Sequence, residues 1–204
     1  MRWIKWGWLV SLVILFIAFS TWYGGKGKPI SPEEGAQLVE LLRANYADAP
    51  EQEQGFVQNM LDMIPNDDGR EFYAVNLEQL KTGPEAEQAD RAYAQMVIPL
   101  LFKRAGHPVF VSERAGLMLG TYGENVDRVA VVRYRSLRDL IDMVNEPAMI
   151  AGSANKFASL EHTEVFITRP IITFVQVRFG LALGLILIGI AGWIAIRRLE
   201  RRRF

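Results

Sequence analysis

Two apolar stretches, one near each end, constrain this chain more than anything between them. Trp6–Tyr23, WGWLVSLVILFIAFSTWY, runs 18 residues without a charge, and Phe179–Ile196, FGLALGLILIGIAGWIAI, runs another 18. About 17–25 helical residues span a hydrocarbon core, so each stretch is just long enough to cross one. Trp3, Trp6 and Trp8 stand at one rim of the first segment, Trp22 and Tyr23 at the other, and Trp193 marks one end of the second. Amphipathic rings of this kind favour the headgroup level. The second helix is expected to begin as early as Ile171, with Arg178 reaching toward the headgroups. The rival for the first segment is a cleaved signal peptide, since Ala18 and Ser20 could form a small-residue cleavage site. The apolar run is longer than a signal core, and bulky Phe19, Trp22 and Tyr23 crowd the cut, so an uncleaved anchor is expected.

Charge divides along the same lines. From Pro29 to Pro170 the chain holds 22 acidic and 13 basic residues, whereas the two flanks hold one acidic and ten basic. An acidic middle is a poor match to nucleic acid. The tail RRLERRRF should stay in the cytoplasm, and two spans return Arg2 and Lys5 to the same side. The middle is therefore expected outside the cytoplasm. There is no cysteine, which excludes disulfides, thiolate metal sites and cysteine nucleophiles. Gly180 and Gly184 form a GxxxG, a pattern that lets helix backbones approach closely. Its expected partner is the first segment or a second copy.

The chain therefore reads as an anchor over residues 1–24, a juxtamembrane helical segment over 25–70, a folded domain over 71–170, and a second membrane helix with basic tail over 171–204. Ser31 caps a helix that carries Leu38, Leu41 and Leu42, with Pro32 at its first position and Glu34 three residues after the cap. A second amphipathic helix follows Pro50 and stops at Pro65. Next come a strand EFYAVNL, a helix Pro84–Ala105 that Pro99 should kink or split, and a strand HPVFVSE. GLMLG reads as a short strand or part of a hairpin. A strand over Asp127–Tyr134 is followed by a helix capped by Ser136, with Asp139 in its first turn. A shorter helical stretch after Pro147 and a last strand HTEVFIT close the order. This is β-α-β-β-α-β, the ferredoxin-like order of an α+β fold. Both faces of the strands carry apolar residues, yet two helices cover only one face of a four-stranded sheet. A second copy, or the helices of 31–64, should cover the other.

The segments FYAVNLEQLK, AYAQMVIPLLFKRAGHPVFVSE, DRVAVVRYRSLRDLIDMVNEPAM and TEVFITRP resemble the dimeric α/β-barrel superfamily, and within it the domain-of-unknown-function 1330 family. The match covers about half the chain. It implies a ferredoxin-like domain that pairs through its sheets around a small cleft, and it brings no established reaction. The membrane segments and the 31–64 helices depart from the short, soluble form of that family.

Chemistry is sparse. No GxSxG, Walker loop, dinucleotide fingerprint or HExxH occurs. The two histidines, His107 and His162, begin different strands, and without gathered carboxylates they imply no metal site. No cofactor is implied. The candidates for a ligand cleft are Arg133, Tyr134, Asn76 and His107, polar groups on otherwise apolar strands. Arg133 shares a face with Val129 and Val131, and a guanidinium buried there needs a carboxylate or an anion. Arg135 and Arg138 read as a solvated helix start. The expected role is non-enzymatic: an interaction or accessory subunit, homodimeric or joined to other membrane proteins, or a small-ligand binder. The alternatives are a small dimeric-barrel enzyme, monooxygenase- or isomerase-like, and a transmembrane scaffold that uses its GxxxG helix.

Overall fold

The computed structural model describes residues 2–47, 51–173 and 176–201. Pro50, together with Arg202, Arg203 and Phe204 of the basic tail, lies outside the described residues. The chain divides into two compact units: Lys26–Pro170, and the two ends Met1–Gly25 with Ile171–Phe204.

The larger unit begins with α2 (Pro32–Asn45) and α3 (Glu51–Met63), which a 3-10 turn at Ile64–Asn66 extends through Pro65. The Ser31 hydroxyl accepts a bond from the Glu34 amide at 3.2 Å, and Pro32 stands in the first turn, where its missing N–H costs nothing. Then follow β1 (Phe72–Leu80), α4 (Pro84–Lys103), β2 (His107–Glu113), β3 (Arg128–Tyr134), α5 (Leu137–Val144), α6 (Pro147–Ser159) and β4 (Leu160–Thr168). The four strands form one antiparallel sheet in the order β2-β3-β1-β4.

Two expectations are corrected, and a third is met in one of its alternatives. Pro99 does not split α4, which runs unbroken past it. Pro99 and Gln95, whose carbonyl loses its donor, both lie on the exposed side, where water can serve that carbonyl. GLMLG forms no strand of its own and is part of a hairpin, since it lies in the loop 114–127 that joins the antiparallel pair β2 and β3. The helices α2 and α3 do not cover the second face of the sheet. Leu42, Tyr46, Val57, Met60 and Leu61 share one core with Phe72, Leu101, Leu140, Ile141 and Val144, on the side already covered by α5. Polar ties fasten the same contact: the Tyr46 hydroxyl donates to the Val144 carbonyl at 2.7 Å, and Asn45 Nδ2 donates to Asn145 Oδ1 at 2.7 Å.

Register assigns the faces, because directly paired residues point the same way. Phe72, Ala74, Asn76 and Glu78 of β1 stand with Tyr134, Val132, Ala130 and Arg128 of β3 on the helix-covered side. Tyr73, Val75 and Leu77 stand with Arg133, Val131 and Val129 on the other. Phe166 of β4 and Phe110 of β2 join that second side opposite Val75 and Val131. Phe110 reaches it through a bulge between Pro108 and Phe110, which inserts one extra residue into β2.

The smaller unit is a pair of helices, α1 (Arg2–Gly24) and α7 (Val177–Arg201), each long and apolar enough to cross a membrane. They run antiparallel: the Lys5 ammonium lies 5.3 Å from the centre of a Trp193 ring, and the Arg178 guanidinium 5.7 Å from that of Tyr23. Ser11 and Thr21 return their hydroxyls to the carbonyls of Trp8 and Ile17, so neither group needs an outside partner. α7 begins at Val177 and not near Ile171, since residues 171–173 follow Pro170 without helical structure.

Candidate functional site

The four candidate side chains do not converge. Asn76 and Tyr134 are on the helix-covered side of the sheet, Arg133 and His107 on the open side. His162 pairs with Gln79 on β4, at the opposite edge and opposite end from His107, so the two histidines share no cleft. Among the described residues no cluster of three metal-binding side chains occurs.

On the open side, Arg133 is 1% exposed, and its charge is met within the chain. Its Nε donates to Glu71 Oε2 at 2.8 Å, a second nitrogen bonds the same carboxylate oxygen, and another donates to the Ala105 carbonyl at 2.7 Å. Ala105 offers that carbonyl from a left-handed conformation, φ 56°, at the end of α4. His107 Nδ1 lies 3.0 Å from the Pro108 carbonyl oxygen.

On the helix-covered side a polar network runs from β1 to α4 and α6. Asn76 Oδ1 accepts from Lys156 Nζ at 3.2 Å, while Asn76 Nδ2 donates to the Ala130 carbonyl at 3.0 Å. The Lys156 ammonium sits 5.9 Å from the centre of the Tyr93 ring. Its stem keeps some contact with water, but burial of the amine lowers its pKa. Tyr134 stacks on Phe72 with ring centres 5.4 Å apart. Burial raises the pKa of both Tyr93 and Tyr134, so their hydroxyls stay protonated. Beside them Arg128 joins three elements: its Nε donates to Glu78 at 2.6 Å, and its two terminal nitrogens hold Asp90 of α4 at 2.9 and 2.7 Å. These bonds from Arg128 hold the Asp90 carboxyl below its usual range.

The other arginines of the β3–α5 joint are likewise paired. Arg135 forks onto Asp139 at 2.7 and 2.5 Å, and Arg138 pairs with Glu34 of α2. The expectation that they form a solvated helix start is corrected: Arg135 finds its carboxylate one turn along α5, and Arg138 finds one on α2, which packs over this end of α5. Asp139 also closes the cap with Ser136, whose hydroxyl accepts from the Asp139 amide at 3.2 Å and donates to its carboxylate at 2.7 Å.

Sequence reasoning missed Lys156, Glu78, Tyr93 and Asp90. Lys156 is the only base in AGSANKFASL, and that isolation was the available signal. A separate cleft of about 320 Å³ lies between the 3-10 turn, β4 and the start of α5, lined by Asp62, Asp67, Phe72, Leu137, Ile167 and Arg169. None of the four sequence candidates lines it. Its charges are also engaged: Asp67 accepts from the Ile30 amide at 2.9 Å, and Arg169 donates to the neighbouring Asp68 at 2.8 Å.

The GxxxG does not meet the first helix. Among the described residues no atom lies within 4 Å of a Cβ built at Gly180 or Gly184, whereas at Gly189 such an atom would stand 3.3 Å from Leu12 and at Gly192 it would collide with the Trp8 ring. The expectation of α1 as its partner is therefore corrected. The side chains of Leu9, Leu12 and Trp8 fill the notches at Gly189 and Gly192 instead.

No family model and no curated protein matches the sequence. Solved structures do. RPA0582, a protein of unknown function from Rhodopseudomonas palustris, is similar with a TM-score of 0.52 and 19% identity, over 57% of this chain and 94% of that one. Its methylated form gives 0.51 and 18%, over 58% and 93%. An uncharacterized NIPSNAP domain protein from Burkholderia xenovorans gives 0.38 and 14%, over 52% and 98%. The likeness to RPA0582 shows a shared fold. No family model places the chain in the domain-of-unknown-function 1330 family.

Proposed function

We propose that this protein is a membrane-anchored interaction subunit whose ferredoxin-like domain lies outside the cytoplasm and pairs with a second copy through its open sheet face. One observation carries the reading. The face bearing Phe110, Val129, Val131, Val75, Leu77 and Phe166 is apolar, and the core-forming helices of the same unit pack on the other side. Phe110 is 55% exposed and Phe166 45%. Contiguous apolar surface of this kind marks an interaction site.

The element alternation and the strand order β2-β3-β1-β4 support the ferredoxin-like assignment. The antiparallel α1–α7 pair supports a membrane hairpin with both termini on the side of the arginine-rich tail. The polar groups favour interaction over catalysis: Arg128, Arg133, Arg135 and Arg138 are each neutralised by a carboxylate of the chain, and the Asn76 amide is engaged on both its oxygen and its nitrogen.

The test is the oligomeric state of the full chain in detergent, by light scattering. The wild type should be a dimer, and Val131→Asp, which places a charge at the centre of the open face, should dissociate it. A dimer unchanged by Val131→Asp sinks the pairing. The orientation has its own test, because a reporter fused after Phe204 that works only outside the cytoplasm would contradict it.

A further inference from the structure

The loop between β2 and β3 is unusual for what it leaves in water. From Ala115 to Gly123 it carries no charged residue. Met118 is 99% exposed, Leu119 92% and Tyr122 98%. Its base is firmly held: the Arg114 amide donates to the Asp127 carbonyl at 2.8 Å, the Asp127 amide donates to the Glu78 carbonyl at 2.8 Å, and the Leu80 amide donates to Asp127 Oδ2 at 2.9 Å. A turn from Thr121 to Glu124, closed at 3.0 Å, shapes the tip. The result is an apolar tip on a fixed root; exposed apolar patches mark interaction sites, and loops this long without secondary structure are uncommon in a compact domain.

Area indicates what it serves. Four strands spaced about 4.8 Å apart, seven to nine residues long at ~3.3 Å per residue, present a flat footprint of about 500 Å². A stable protein interface buries about 800 Å² on each partner. The open sheet face alone falls short of that. The loop springs from β2 and β3, the strands that carry Phe110, Val129 and Val131, so its exposed side chains leave the sheet at one end of that apolar surface. A lipid surface is the weaker fit, because anionic headgroups attract bases and residues 115–123 contain none.

We propose that residues 115–123 form an arm that closes over the sheet of a second copy of this chain, with Met118, Leu119 and Tyr122 as its anchors. The proposal rests on the pairing of the open sheet faces, and the arm completes that pairing. The experiment uses the full chain. A photo-reactive phenylalanine analogue replaces Tyr122 and is irradiated in native membranes. In parallel, the dimer dissociation constant is measured in detergent for the wild type, for Met118→Ser/Leu119→Ser/Tyr122→Ser together, and for Val131→Asp.

The expected adduct has the mass of two chains and maps to the strands of the second copy. The expected arm variant raises the dissociation constant at least tenfold and keeps the wild-type melting of the folded unit. An arm variant with the wild-type constant, or an adduct on lipid or on another protein, overturns the arm. If Val131→Asp still dissociates the dimer in that case, the sheet pairing stands without it. A dimer indifferent to Val131→Asp, or a wild type that is monomeric, removes both.

Discussion

The two faces of the sheet have the same alternating sequence and opposite surroundings. On the covered face, Phe72, Val132 and Tyr134 meet the core formed by α2, α3, α4 and α5. On the other, Val75, Val131 and Phe166 meet no helix of the larger unit. Charge does not follow this division. Arg128 on the covered face and Arg133 on the open face are both bound to carboxylates of their own chain. Both arginines are thus paired, while helices bury apolar surface on one side only, and there chiefly over β1 and β3, since Val111, Val165 and Ile167 on the same side stay exposed at the two edges. The unmet demand of this domain is apolar, and its solution is a surface rather than an ion.

Four probes, built on five substitutions, test the difference in falling order of effect. Ile141, fully buried in the helix layer, should cost about 2–5 kcal/mol when changed to Ala, read as a shift in denaturant midpoint. A loss under 1 kcal/mol there would mean the covered face is loosely packed. Glu71→Gln removes the carboxylate that holds the buried Arg133 and should cost about 1–3 kcal/mol, whereas Asp90→Asn leaves the more exposed Arg128 its Glu78 and should cost less. Equal losses would contradict the account of two carboxylates on one arginine and one on the other.

The third probe is pH. Bonds from Lys103 and then Arg104 pull the Glu146 carboxyl down to about 2, and Arg128 lowers that of Asp90. A carboxyl depressed in the folded state adds stability above its unfolded pKa and loses it as pH falls. Unfolding midpoints should therefore drop from about pH 4.5 toward pH 2. Glu146→Gln should flatten that slope, and an unaltered slope would remove Glu146 as a contributor. The smallest effect belongs to the open face. In the dissociated protein Phe110→Ser should change stability by less than about 0.5 kcal/mol, although the same change weakens association. A large loss in the dissociated state would show that something already covers Phe110.

Much of this division could be read from the sequence, because local rules made it. The alternation in RVAVVRY separates Arg133 from Tyr134, and Ser136 with Asp139 announces the α5 cap, as Ser31 does for α2. What could not be read depends on distant partners. Lys156 finds Asn76 across 80 residues, and Arg133 finds Glu71 across 62. The bulge at Val109 is one residue of slack in β2, yet it decides that His107 and Phe110 share a face. The destination of α2 and α3 was also closed to pattern reading, since an amphipathic helix states that it will bury a stripe and not which surface will receive it.

The place of β1 has a consequence for how the protein is made. It is the first strand synthesised and it ends in the middle of the sheet, with Tyr73 paired to Arg133 on one side and Thr168 on the other. Such distant pairings delay folding, because the intervening chain must close before they are rewarded. One hydrogen-bonding edge of β1 stays vacant on the growing chain until β4 emerges, nearly a hundred residues later. An unpaired edge recruits any other edge it meets. A chain halted before Thr168 is therefore an aggregation hazard rather than a smaller version of the domain, and the period of greatest danger in its synthesis is the wait of one strand for the last.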